Sequence, residues 1–217
     1  MVDPDYHSVV RITEVGWSAL LIECESPAEA QAWRRRLWRA RENGDLAAEE
    51  IVPGARTVLL DGVPDPAGLA ATLRGWPPPG PGAGDERAVR RVELPTVYDG
   101  EDLRRVAEHW GVSPREVVDL HSAAEWTVAF CGFAPGFGYL TGLPERYAVP
   151  RLATPRTRVP AGSVGLAGPY SGVYPGASPG GWLLIGRTDA VLFDVAADPP
   201  ALLEPGTVVR FVEVTQR

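Results

Sequence analysis

The apolar-rich runs SVVRITEV (8–15) and SALLIECE (18–25) predict two strands turned at Gly16 and Trp17. A helical period follows. Ala30, Trp33, Leu37 and Ala40 recur at helical spacing; Ser26 offers an N-cap, Pro27 suits the first position, Glu29 completes a capping box, and Gly44 stops the run. The interleaved arginines Arg34, Arg35, Arg36, Arg39 and Arg41 read as the solvated face of that helix. TVLLDG (57–62) reads as a strand and DPAGLAATLRG (65–75) as a short helix, so residues 1–75 predict a small α/β domain. WPPPGPGAGDE (76–86) lacks any period and reads as a linker.

Beyond it, RAVRRVELP (87–95) predicts a strand, DGEDLRRVAEHWG (99–111) and SPREVVDLHSA (113–123) two helices, and EWTVAFCGF (125–133) another strand. Short apolar segments follow, SVGLA (163–167), WLLIG (182–186) and VLFDV (191–195), with TVVRFVEV (207–214) as the closing strand. Residues 131–188 hold 12 Gly and 8 Pro in 58 positions, a composition that alone would suggest disorder. The rings of Phe133, Phe137, Tyr139, Tyr147, Tyr170, Tyr174 and Trp182 are interleaved among them, which instead suits a closed or nearly closed barrel bent at glycines. The class is α+β: an N-terminal α/β domain (1–75), a Pro/Gly-rich linker (76–86) and a β-barrel domain (87–217).

Composition narrows the chemistry. All 21 basic residues of the 217-residue chain are arginine, so there is no lysine for a Schiff base, a Ser-Lys amidase, a Walker-A phosphate loop or a biotin carrier. Any ATP chemistry therefore depends on a partner chain. The net charge of −7 argues against nucleic-acid binding. Its distribution is uneven: residues 1–86 carry 8 Arg against 14 Asp and Glu, whereas residues 131–188 carry Arg146, Arg151, Arg156, Arg158 and Arg187 against Glu145 alone. Cys24, Cys131, His7, His109 and His121 form no metal-ligand spacing, so no metal site is expected. No apolar run reaches the ~20 residues of a membrane span and the start is acidic, so the expected location is the cytoplasm. GASPG (176–180) has the outline of a nucleophile elbow, but Pro179 cannot donate the N–H that an oxyanion hole takes there.

The blocks CGFAPGFGYLTGLP (131–144) and VPRLATPRTRVPAGSVGLAGPYSGVYPGASPGGWLLIGRT (149–188) resemble the KipI/PxpB family, also labelled the 5-oxoprolinase B subunit or allophanate hydrolase subunit 1. YDGEDLRRVAEHWGVSPREVVDLH (98–121) and LLEPGTVVRF (202–211) fit as well, so the resemblance spans nearly the whole chain. One departure stands out: where the family usually reads AGxQTGIYP, this chain has AGPYSGVYP, with Tyr170 and Ser171 in place of Gln and Thr. The resemblance implies a cyclophilin-like barrel and partnership with a C subunit and an A subunit. It also implies an ATP-dependent 5-oxoprolinase complex that opens 5-oxo-L-proline to L-glutamate, with no cofactor held by this chain alone. Two other readings stay open: a KipI-type inhibitor that binds a sensor histidine kinase, and a component of a urea-carboxylase or allophanate-type complex.

Arg151, Arg156, Arg158 and Arg187 are candidate binders of a small anionic substrate, because planar guanidinium forks match carboxylate and phosphate oxygens. Phe133, Tyr139, Gly162, Ser163, Tyr174, Ser178 and Trp182 are the candidate lining of the same cleft. His121, at the end of a predicted helix, is the candidate for proton transfer, since imidazole titrates near neutrality.

Overall fold

The computed structural model describes residues 10–77, 79 and 90–215, which belong to two compact units divided between residues 88 and 89. Most of the expected linker lies outside the described residues. In the first unit, β1 (Arg11–Val15), β2 (Ala19–Glu23), β3 (Glu50–Pro53) and β4 (Thr57–Asp61) form an antiparallel sheet in the order β1-β2-β4-β3. Helices α1 (Pro27–Glu42) and α2 (Pro66–Arg74) pack on it, closing Leu20, Ile22, Val58 and Leu60 over Trp33, Leu37 and Leu73. Alternate positions of β2 and β4 thus make one buried face of the sheet. Strand β3 escaped the sequence reading because a four-residue run ending in Pro53 carries little signal.

Capping behaves as the sequence suggests, with one correction. The Ser26 hydroxyl accepts from the Glu29 N–H, but the Glu29 carboxylate turns to the N–H of Glu25, so the box at α1 stays half made. Gly44, at φ 80°, follows the helix as a left-handed stop. The arginine face of α1 is less solvated than its spacing implied, because the Arg36 guanidinium lies 4.3 Å from the Trp76 ring, itself stacked on Trp33.

The second unit is built on seven strands: β5 (Arg91–Thr96), β6 (Trp126–Cys131), β7 (Gly138–Thr141), β9 (Ser163–Ala167), β10 (Tyr170–Val173), β12 (Leu183–Arg187) and β13 (Val208–Glu213). Their order is β12-β9-β10-β7-β6-β13-β5. The chain just past β5 then meets β12, where Val97 and Arg187 exchange N–H···O bonds of 2.9 and 2.8 Å, and the sheet closes on itself. Strand β8 (Arg156–Val159) pairs with β11 (Ser178–Gly180) as a separate ribbon. Helices α3 (Leu103–Trp110) and α4 (Pro114–Ala123) flank the barrel, α4 capped by a complete Ser113–Glu116 box.

Two expectations change here. TVVRFVEV does not close the barrel: β13 lies inside the sheet, parallel to β5 and antiparallel to β6. VLFDV forms no strand. Its Leu192 packs into the core while Val191 and Val195 stay 70% and 84% exposed, and Phe193 makes only an isolated bridge to Ala201.

Gly100 makes the close approach at this seam possible. A Cβ there would lie 2.3 Å from the Ile185 carbonyl carbon. The Gly100→Ala variant is therefore expected to lose about 1–3 kcal/mol by overpacking, read as a lower urea midpoint with unchanged slope.

Candidate functional site on the outer face of the barrel

Alternation along the strands separates two apolar assemblies. Leu140, Val164, Leu166, Val173, Leu183 and Ile185 point into the barrel core. Their neighbours point outward, where Phe137, Tyr174, Trp182 and Leu184 form a second buried cluster with Tyr139 and Tyr170 packed against it. A bulge between Val128 and Phe130 swings Phe130 outward, opposite Tyr139, and the two rings stack at 4.3 Å and 13°. Tyr170 meets both edge-on, at 5.6 and 5.7 Å. The result is an aromatic face outside the barrel wall.

Glycine sets the height of that face. At Gly172 a Cβ would stand 3.0 Å from the Trp182 ring and 3.1 Å from Phe137, and at Gly180 it would strike the Tyr174 hydroxyl at 2.3 Å. Without side chains there, the rings lie flat on the backbone. Phe133 completes the rim in the left-handed region at φ 69°, 60% exposed, with its ring edge-on to Phe137 and Tyr174. A bulky residue held at positive φ is a sign of a functional loop. Beneath, the Ser178 hydroxyl oxygen is buried without a hydrogen-bond partner among the described residues.

The expected lining residues Phe133, Tyr139, Tyr174 and Trp182 thus come together, Tyr174 and Trp182 as its buried support and Phe133 and Tyr139 on the accessible side. Gly162 and Ser163 do not supply free N–H groups: the Gly162 N–H donates to the Tyr174 carbonyl and the Ser163 N–H to that of Pro160.

The four arginines divide. Arg156 is fully engaged: its guanidinium contacts Glu101 at 2.6 Å and Asp102 at 2.7 Å and donates to the Trp182 carbonyl at 3.1 Å. Arg187 pairs with Asp99 at 2.9 Å. Both hold the 99–102 loop; Arg156, with its whole guanidinium engaged, is a clamp rather than an anion binder, which corrects that expectation for it, while Arg187 is held through Nε. The acidic cluster in YDGED was the missed signal, placed opposite the cationic stretch in charge though far from it in sequence. Arg151 and Arg158 are exposed and make no hydrogen bond or ion pair among the described residues. The charge of Arg151 opposes the upward push that burial gives the Tyr139 and Tyr174 phenols.

His121 lies elsewhere, fully buried under Trp126 and Phe211. Its Nδ1 is 2.8 Å from the Tyr98 hydroxyl and its Nε2 2.9 Å from Ser171 Oγ. Burial pushes its pKa down to about 3, so the ring stays neutral and is spanned by two hydroxyls inside the wall. Enclosed there, it does not reach the aromatic face, and the proton-transfer expectation gives way to a structural one. Ser171, one of the two departures from the family pattern, keeps a hydroxyl on this imidazole; Tyr170, the other, adds a ring to the outer face.

Residues 10–203 match the family described as carboxyltransferase domain, subdomain C and D. The chain belongs to this carboxyltransferase family. Within the family it sits with the KipI/PxpB group: it is 46% identical over 207 residues to the 5-oxoprolinase B subunit of Escherichia coli O157:H7, covering 91% of this chain and 93% of that one. Among solved structures it is similar to TTHA0988, at 33% identity and a TM-score of 0.72 over 92% of this chain. It spans only 40% of that longer protein. The Kluyveromyces lactis urea amidolyase shares the carboxyltransferase fold, with a TM-score of 0.71 at 21% identity over 95% of this chain and 15% of that one. Among the described residues no group of His, Cys, Asp and Glu is arranged to hold a metal ion, and no helix is long and apolar enough to cross a membrane.

Two outcomes follow from the carboxyltransferase geometry. Asp102→Ala leaves the Arg156 charge and the Leu184 N–H without their shared acceptor and is expected to destabilise the barrel by about 3 kcal/mol in urea unfolding. For His121 the unfolded ring binds a proton below about pH 6.5 while the folded ring does not, so its stabilisation is complete above that pH and falls by about 1.4 kcal/mol per unit toward pH 3. Its imidazole NMR resonances are expected to stay at their neutral-form positions from pH 8 to about pH 4.5 while the fold persists.

Proposed function

We propose that the chain is the B component of a heteromeric, ATP-dependent 5-oxoprolinase that opens 5-oxo-L-proline to L-glutamate with C and A subunits. The observation that carries this reading is the near end-to-end likeness to the 5-oxoprolinase B subunit of Escherichia coli O157:H7, at 46% identity. The site is compatible in kind. A small planar lactam fits against flat rings, and its carboxylate requires a cation that no carboxylate of the protein already occupies.

The reaction adds water across the lactam C–N bond, giving the free amine and carboxylate of glutamate, and couples this to ATP hydrolysis. This chain, lacking lysine, has no Walker-A residue for nucleotide phosphates, so nucleotide handling falls to a partner. Its own share is to bind and orient the ring and to keep water off the face that Phe133, Tyr139 and Tyr170 border. The aromatic face lies outside the barrel, open to a partner surface that completes the site.

Co-expression with its C and A partners tests the proposal. The purified complex is expected to release glutamate from 5-oxoproline only with ATP, whereas the isolated chain turns over neither. ATP hydrolysis by the single chain, or a stable complex with no glutamate release, would overturn it.

A further inference from the structure

A carboxylate seated on the aromatic face would need a cation at its edge, and the backbone places one there. Residues 149–152 are pinned at both ends. Val149 and Gly168 exchange hydrogen bonds of 3.0 and 2.7 Å, which holds the segment to the corner leading into Tyr170, and the Leu152 N–H donates to Gly181 at 2.8 Å, which holds it beside Trp182. Arg151 stands between these two anchors, so its stem starts at the border of the face rather than on a loose loop. Its guanidinium is exposed and makes no hydrogen bond or ion pair among the described residues, whereas that of Arg156 on the ribbon is fully paired and that of Arg187 on β12 binds Asp99 through Nε. Its charge also bears on both Tyr139 and Tyr174, whereas that of Arg156 bears on Tyr174 alone. Arg158, the other unpaired candidate, lies within β8 directly before Val159, the residue of that strand buried with the rings, and so faces the opposite side.

We infer that Arg151 is the carboxylate-recognition residue of the outer face, seating the carboxylate of a small cyclic amide whose ring rests on Tyr139. The inference rests on the 5-oxoprolinase reading for the identity of that amide and goes beyond it in naming the residue that separates acid from neutral ring. A guanidinium on a carboxylate is a charge-assisted pair worth about 1.5–3 kcal/mol, a ten- to hundredfold change in affinity. Arg151 does not act on the reacting C–N bond, so its removal appears in KM and not in kcat.

The experiment uses the assembled complex carrying Arg151→Met, with Arg151→Lys as the conservative partner. The probes are 5-oxo-L-proline as substrate and 2-pyrrolidinone, the same ring without the carboxylate, as competitor. The expected result is a KM for 5-oxoproline raised ten- to hundredfold in Arg151→Met, partly restored in Arg151→Lys, with kcat and inhibition by 2-pyrrolidinone within twofold of wild type. A 5-oxoproline KM unchanged in Arg151→Met overturns the assignment while leaving the 5-oxoprolinase reading intact. Equal loss of 5-oxoproline and 2-pyrrolidinone binding overturns it too, as the mark of a merely structural side chain. A wild-type complex that neither binds nor opens 5-oxoproline removes the functional reading and the subsite together.

Discussion

The second unit depends on one closure. Seven strands make a barrel only because the chain after β5 reaches β12, and the contact regular pairing provides there is a single residue pair, Val97 with Arg187. The following loop reinforces it: Gly100 and Asp102 donate their N–H groups to Ile185 and Leu184 at 3.2 and 2.9 Å, and the Asp102 carboxylate accepts the Leu184 N–H at 2.7 Å. The same carboxylate holds Arg156, which binds the Trp182 carbonyl. One loop therefore closes the barrel and ties the β8–β11 ribbon to the strand whose entry carries Trp182. A partly buried charge pair of this sort is weak as a source of net stability but strong as a determinant of geometry, because leaving either partner alone is costly.

Inside the closed wall, His121 plays a complementary part. Wedged against Trp126 and Phe211 and spanned by the Tyr98 and Ser171 hydroxyls, it connects α4, the segment after β5 and β10 through neutral hydrogen bonds. Low polarity makes such a network rigid when every member is satisfied. Tyr170 follows directly from Pro169 on the strand that Ser171 anchors, so the inner network positions the outer ring. The departure from the family pattern at residues 170 and 171 thus falls on both faces of one strand, conservative within and altered without.

Much of the architecture was legible in the sequence where period and caps agreed. Strands β1 and β2, helices α1, α2 and α4, and the barrel character of the second unit follow from apolar-rich runs, helical spacing, Ser or Asp caps and the mixture of rings with glycine. What escaped was non-local. Asp99, Glu101 and Asp102 oppose the cationic stretch in charge, but their pairing with Arg156 and Arg187 spans more than fifty positions and is fixed only by the fold. VLFDV has the composition of a strand, yet it forms only an isolated bridge from Phe193 to Ala201. His121 titrates near neutrality as a free side chain, but its burial depends on Trp126, Phe211, Tyr98 and Ser171 arriving from four other segments. The aromatic face was visible as a list of rings, and only the bulge before Phe130 and the bare backbone at Gly172 show which way they turn.

That orientation separates two kinds of variation. The residues that hold the barrel together and those that meet the outside world occupy the same strands at adjacent positions, facing opposite ways: Leu140 beside Tyr139, Ser171 beside Tyr170. An accessible ring such as Tyr139 or Tyr170 can be exchanged without removing an atom from the barrel core, so long as Gly172 and Gly180 keep the floor clear. The wall is in this sense a two-sided page, and a lineage can rewrite its chemical preference on one side while the text that specifies the fold stays legible on the other.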